Sequence, residues 1–319
     1  MSKIRAGVVG VGHMGRFHVS AYTEIIDVEL VGVCDADAQR VAKVAEHYKT
    51  RGVTDYREMF GEVDVVSIAV PTELHVQVAR DFLEAGIHVL LEKPIARSFS
   101  DAHELFTFAQ EKDLVLQIGH VERFNGAINE IKKIVENPTL FESRRIGPFT
   151  GRNSDDGVVL DLLIHDIDIV LQLSNSPLVQ MQAMGRSVVS GRDDLVTAQL
   201  RFENGCMAHL LASRVSEEKS RTLAVTQPGA YIFLDYTDQE IHIHRQASSE
   251  AVVTTEQLRY KQESIIERLF VYKGNPLKLE LQHFIGCAMK GDEVRVSPED
   301  ELRSLRVALD ILDGIGNAV

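Results

Sequence analysis

Tryptophan is absent from this chain of 319 residues and aromatic residues make up only 6% of it, so the core must be mostly aliphatic. Cysteine is scarce. Cys34, Cys206 and Cys287 lie far apart with no CxxC pair, which excludes a disulfide framework and a cysteine-rich zinc site and fits a reducing cytosol. Positive charge is in deficit: 34 Lys plus Arg against 47 Asp plus Glu leaves a formal net charge of −13. Such a chain is a poor general binder of nucleic acid, whose phosphates are held by clustered cations. No apolar run approaches the ~20 residues of a membrane helix. The N-terminus shows no apolar segment followed by a cleavage site. A cytoplasmic protein without membrane insertion is therefore expected. Repeats and low-complexity tracts are missing as well. What remains, 45% hydrophobic and 25% charged residues, is an ordinary globular balance. The length predicts two domains at ~150 residues each.

The first ~120 residues alternate strand and helix. Strand patterns cover residues 3–9, 28–35, 63–70, 87–91 and 114–119, and helical spacing covers 16–26, 37–48, 72–85 and 100–111. Near-continuous apolar strands between helices indicate a parallel sheet covered on both faces. The pattern then changes. Residues 126–135 read as a helix, 137–157 as a loop and 157–174 as a helix. Strands are predicted at 180–188, 195–202, 206–215, 221–227 and 230–244, forming a consecutive antiparallel sheet. Helices at 276–290 and 298–314 close the chain. The expectation is an α/β domain over residues 1–121 and an α+β domain with a large open sheet over 122–319, the C-terminal helix able to pack back on the first. Five strands with few helices to cover them predict a homodimer or homotetramer through that sheet.

Gly10-Val11-Gly12-His13-Met14-Gly15 is a GxGxxG turn between a strand and a helix, and Asp35 ends the next strand. Gly10 allows the tight turn, Gly12 lets backbone N–H groups approach a pyrophosphate, and Gly15 allows close helix–sheet packing. The helix N-terminus offers unpaired donors and a positive dipole end. Asp35 would accept from ribose hydroxyls and repel a 2′-phosphate, favouring NAD over NADP, while Arg40 blurs that preference. Lys93, in Glu92-Lys93-Pro94, follows its strand at the same sheet edge, where ligands of open parallel sheets bind.

On the helix at 157–174, Asp161, His165, Asp168 and Gln172 are spaced 4, 3 and 4, which places them in one stripe. Almost every other position is Val, Leu or Ile, so the helix is buried and its stripe must face a cavity, a partner or a ligand. A packing pair and a cation site are the alternatives. Asp166 points elsewhere and is expected to cap or to form a salt bridge.

Together these residues resemble the Gfo/Idh/MocA (glucose–fructose oxidoreductase / inositol dehydrogenase) family over essentially the whole chain. The likeness rests on residues 7–18, Asp35, Pro71-Thr72-Glu73-Leu74-His75, Glu92-Lys93-Pro94, Arg123-Phe124, the Asp161–His165 spacing and the ending PLKLELQHFIGCAMKG. It implies a Rossmann domain plus a sheet domain, with Lys93, Asp161 and His165 as the catalytic set. His165 would be the general base, Lys93 would polarise the hydroxyl and Asp161 would orient the pair, and the Lys93–Pro94 bond would be cis. Gly10, Gly12, His13, Met14, Gly15, Asp35, Arg40, Pro71, Thr72, His75, Glu92 and Lys93 are the implied cofactor contacts. The stretches 119–125 and 161–169 resemble the branch that oxidises nucleotide sugars. That branch points to the 3-hydroxyl of UDP-N-acetylglucosamine, feeding amino-sugar and lipid A synthesis, with His120, Arg123, Asn125, Arg144, Arg152, Asp161 and His165 against substrate. Arginines near the stripe suit phosphate, because a planar guanidinium makes bidentate contacts. No metal is expected.

Alternatives are a dehydrogenase of inositol, a free aldose or a diol, and a non-catalytic NAD-binding regulator, which need not keep Lys93, Asp161 and His165. No Tyr is followed four residues later by Lys, so a short-chain-dehydrogenase dyad is missing.

Overall fold

Strand β1 (Ile4–Val9) delivers the glycine turn to helix α1 (His13–Thr23), and β2 (Val28–Cys34) delivers Asp35 to α2 (Ala38–Tyr48). Then follow β3 (Arg51–Val53), β4 (Val65–Ile68), α3 (Thr72–Glu84), β5 (His88–Leu91), α4 (Phe99–Glu111) and β6 (Leu116–Ile118). All these strands pair in parallel, in the order β3-β2-β1-β4-β5-β6. The order reverses beside β1, so the turns after β1 and β4 open at the switch point where dinucleotides bind. This is a computed structural model, and it describes residues 3–151, 156–246, 253–255, 258–260 and 264–316. Short β3 escapes the sequence pattern because only Val53 of its three residues is buried.

The second part opens with α5 (Gly126–Ile131), and then departs from expectation. Residues 140–146, read as loop, form β7 (Leu140–Ile146), a strand in the middle of a sheet. Its inward positions are Phe141, Ser143 and Arg145, so two of these three inward side chains are polar and the alternation is hidden. The buried helix that follows begins as a π-helical turn, Val159–Leu163, and continues as α6 (Ile164–Ser174). Strands β8 (Leu178–Arg186), β9 (Leu195–Phe202), β10 (Met207–Ser213), β11 (Ser220–Gln227), β12 (Ala230–Asp235) and β13 (Glu240–Gln246) come next. The pair β14 (Val253–Thr255) and β15 (Leu258–Tyr260) stands apart, and β16 (Ser264–Leu269) rejoins the large sheet. The large sheet runs β16-β13-β12-β11-β7-β10-β9-β8. It is antiparallel except where β7 and β10 pair in parallel, so it is not the consecutive antiparallel sheet expected. The predicted strand 230–244 is a hairpin, because the Asp235 carboxylate accepts from the N–H groups of Thr237 and Asp238 and folds the chain back.

The chain closes with α7 (Pro276–Lys290) and α8 (Pro298–Gly316). Leu277, Leu281, Phe284 and Ile285 of α7 share one core with Ala6, Val8, Val19 and Tyr22. Two compact units result, Met1–Phe124 with Asn275–Arg306 and Asn125–Gly274 with Val307–Val319. Among the described residues no helix is long and apolar enough to cross a membrane.

Candidate active site

In the first unit the glycine turn has the geometry its spacing predicts. Gly10 sits at φ +85°, and a side chain at Gly15 would place its Cβ 1.7 Å from the Gly10 carbonyl oxygen. Beside Gly12, by contrast, nothing lies within 4 Å of where a Cβ would be. No side chain caps α1, so its first N–H groups face this open cradle. An anion fits there. The Asp35 carboxylate accepts from the Val11 N–H at 2.9 Å and the Asp37 N–H at 3.0 Å. It therefore shapes the glycine turn itself, a second role that the spacing alone does not reveal. Arg40 lies over it, with Nη1 at 3.1 and 3.2 Å from the two oxygens. His13 is exposed and meets Phe17 edge-on, and Met14 is half-buried.

Lys93 leaves the end of β5, and the Lys93–Pro94 peptide is cis. His75 braces this edge. Its two ring nitrogens lie 2.8 Å from the Pro94 carbonyl and 2.9 Å from the Val70 carbonyl. Pro71 and Thr72 open α3 beside them, with Thr72 buried. Glu92 points inward, its Oε1 2.8 Å from His18 Nε2, and both side chains are buried. Burial pushes the Glu92 carboxyl up, but the His18 hydrogen bond and the charges of His18 and Lys93 outweigh it and hold it below the usual range. His75 and Glu92 thus brace the loops of the sheet edge where the cofactor is expected.

Behind this pair lies a group the sequence pattern does not flag. Glu280 of α7 is fully buried, and neither carboxyl oxygen has a hydrogen-bond partner among the described residues. Burial, reinforced by Glu92, raises its pKa well above the ordinary value. Glu280 therefore keeps its proton when folded and loses it when unfolded, so its contribution to stability falls as pH rises above ~4.3. Glu280→Gln should remove that slope. The expected result is a smaller loss of Tm between about pH 5 and pH 9 than in the parent protein, read by calorimetry. Equal slopes would mean that Glu280 is ionised in the fold.

Three expected substrate contacts have other partners. The His120 imidazole is hydrogen-bonded to Glu301, both nearly inaccessible. Arg123 donates to the Arg295 carbonyl at 2.8 Å and to Asp300 at 3.2 Å. These contacts brace the 3₁₀ turn Val121–Phe124 against the start of α8. In the second unit Asn125 caps α5 through the Ala127 N–H and donates to the Tyr236 carbonyl. All three side chains are buried. Arg144 lies on β7, about half exposed, and Arg145 is buried. Arg152 lies outside the described residues.

The second unit carries the polar stripe. Asp161 is half-buried, His165 is 9% exposed and Asp168 2%. Asp168 accepts from Gln172 Nε2 at 2.9 Å, and Lys132 donates to Gln172 Oε1 at 2.6 Å. The stripe is thus closed at its C-terminal end and accessible at Asp161. Asp166 points the other way, into a bidentate pair with Arg145 at 2.7 and 3.2 Å. Arg145 also lies over the Tyr236 ring. This pair joins α6 to β7, which explains the polar inward face of that strand. Among the described residues no group of three or more His, Cys, Asp or Glu is arranged to hold a metal ion.

Comparison with known proteins identifies the family and the fold. The model of an oxidoreductase family with an NAD-binding Rossmann fold matches residues 4–120, and that of the GFO/IDH/MocA C-terminal domain matches residues 125–234. The chain is 37% identical over 249 residues to UDP-N-acetylglucosamine 3-dehydrogenase of Acidithiobacillus ferrooxidans, covering 78% of this chain and 79% of the relative. A solved structure of that enzyme superposes with a TM-score of 0.89 at 32% identity, covering 99% of each chain. A scyllo-inositol dehydrogenase of Lactobacillus casei, solved with NAD(H) and scyllo-inositol, shares the fold with a TM-score of 0.80 at 20% identity, covering 99% of this chain and 97% of its own.

Proposed function

We propose a nucleotide-sugar substrate for this chain, which belongs to the GFO/IDH/MocA family of NAD-binding oxidoreductases acting on CH–OH groups. The hydroxyl oxidised is the 3-hydroxyl of UDP-N-acetylglucosamine, with NAD as acceptor. One observation carries this: the likeness to an enzyme named for that reaction runs through the second unit as well as the dinucleotide-binding one. The product is a 3-keto sugar, the form from which a 3-amino sugar for lipid A is made. A cytoplasmic location and a homodimer or homotetramer through the large sheet belong to the same proposal. Exposed Met184, Met207, Tyr231 and Ile266 on its strands support the assembly.

The open space at Gly12 and the uncapped start of α1 fit a pyrophosphate. Asp35, at the end of β2, accepts from the ribose hydroxyls and so selects NAD. When bound, the nicotinamide accepts hydride from the carbinol carbon. The chain's own residues handle the proton. His165 takes it from the hydroxyl oxygen as the C–H bond breaks. Asp161, one turn earlier and more accessible, holds the imidazole or the hydroxyl in orientation. Lys93 stabilises the negative charge developing on that oxygen. Arg144, about half exposed on β7, contacts the diphosphate.

A thermal-shift panel of UDP-sugars, free N-acetylglucosamine and inositols with NAD present tests the substrate class, since a ligand that binds only the native state raises Tm. UDP-N-acetylglucosamine is expected to give the largest shift and to support NADH formation, with kcat/KM higher for NAD than for NADP. Turnover of inositol with the UDP-sugars silent would overturn the proposal. Light scattering on the same preparation reads the assembly, and a monomer at micromolar concentration would remove that part.

A further inference from the structure

The helix that carries Asp161 and His165 is capped from outside its own sequence. The first N–H groups of any helix lack partners within it. Here the residue at the cap position is Val158, whose side chain accepts nothing. Asp193, 34 residues away, supplies the acceptors. Its carbonyl accepts from the Val158 N–H at 2.8 Å, and its Oδ2 accepts from the Val159 N–H at 3.0 Å. Gly157 makes room for this, because a Cβ there would lie 1.7 Å from the Asp193 carboxylate.

The loop that presents Asp193 is itself locked. Neighbouring Asp194 is fully buried and accepts from the N–H groups of Val188, Val189 and Ser190 at 2.6–2.9 Å, and from Arg214 Nε at 2.7 Å. Arg214 also donates to the Asp156 carbonyl at 2.9 Å and to Ser190 Oγ at 3.0 Å. One guanidinium thus ties the loop at 188–194 to the segment entering the helix. The turn so held, Val159–Leu163, is π-helical, a rare geometry that occurs mostly as single turns at functional sites. It holds one more residue than an α-turn. Asp161 lies inside this turn, two residues after the capped Val159 N–H, so fraying of the turn would carry Asp161 off the stripe it shares with His165.

We propose that Asp193, with Gly157 as its socket, is a positioning residue that holds the π turn and so keeps Asp161 in register with His165. This rests on the catalytic roles proposed above.

The test combines kinetics with hydrogen exchange on the full-length protein. Asp193→Ala should lower kcat by ~30-fold or more, the scale of a misplaced catalytic group, with NAD affinity unchanged. Asp193→Asn keeps an acceptor oxygen for the Val159 N–H and should return kcat to within ~3-fold of the parent. In Asp193→Ala the Val159 amide should exchange faster, because its Oδ2 acceptor is gone while the carbonyl that holds the Val158 amide stays, and in Asp193→Asn it should stay protected. If Asp193→Ala does not fold, Asp193→Glu decides, because it keeps the charge but overshoots by one methylene; kcat should then fall with NAD affinity intact. Undiminished kcat in Asp193→Ala or Asp193→Glu would overturn the proposal, as would equal damage in Asp193→Asn and Asp193→Ala. Amide exchange needs no substrate. An inactive parent protein with a protected Val159 amide that is released in Asp193→Ala would count against the proposed reaction, not against the cap.

Discussion

His165→Ala and Lys93→Ala are each expected to lower kcat by ~100-fold or more, the usual scale for removing a general base or an electrostatic stabiliser. Hydride leaves the carbinol carbon only as the hydroxyl proton is taken up, and His165 is the imidazole on the buried stripe. Lys93 follows its strand at the cofactor edge, where a cation can meet charge developing on the substrate oxygen. NAD affinity should change little in either variant. The dinucleotide cradle is built from Gly10, Gly12, Gly15, the start of α1 and Asp35, none of which needs either side chain. Steady-state kinetics with a separate NAD titration measures both quantities. Near-parent turnover in His165→Ala would make the stripe a packing feature and move the search for the base to Lys93.

Asp166→Ala is expected to cost ~3–5 kcal/mol of stability, the range for breaking one side of a buried ion pair. Arg145 and Asp166 are 3% and 1% exposed at the side chain, and their two hydrogen bonds satisfy groups that would otherwise be buried alone. Removing the carboxylate strands the guanidinium between α6 and β7. The double replacement Arg145→Met with Asp166→Leu should recover most of the loss, because two apolar groups of similar volume need no partner. Urea unfolding of the single and double variants tests the pair. A loss below ~1 kcal/mol in Asp166→Ala would show that water reaches Arg145.

The sheet edge was legible from one dimension because its chemistry is local. Gly10, Gly12 and Gly15 share one turn, Asp35 ends the adjacent strand, and each apolar strand declares its burial by composition. The stripe Asp161–His165 was legible for the same reason, since an apolar helix leaves few explanations for periodic polar residues. Strand β7 was not legible. Its inward Arg145 is polar because its partner Asp166 lies 21 residues away, and alternation cannot reveal a pairing it does not contain.

Tertiary structure alone decided where the remaining polar groups point. His120 and Arg123 lie within the stretch 119–125 that resembles the nucleotide-sugar branch, yet Glu301 and Asp300, 181 and 177 residues on, engage them. His18, Glu92 and Glu280 come together from α1, the end of β5 and α7, where burial raises the Glu280 carboxyl and the His18 hydrogen bond holds Glu92 low against burial. Asp193 caps a helix it does not belong to. Local spacing determines which residues can share a turn, a strand face or a helix stripe. Long-range folding determines which buried donors and acceptors satisfy one another, because each must find a partner wherever the chain brings one.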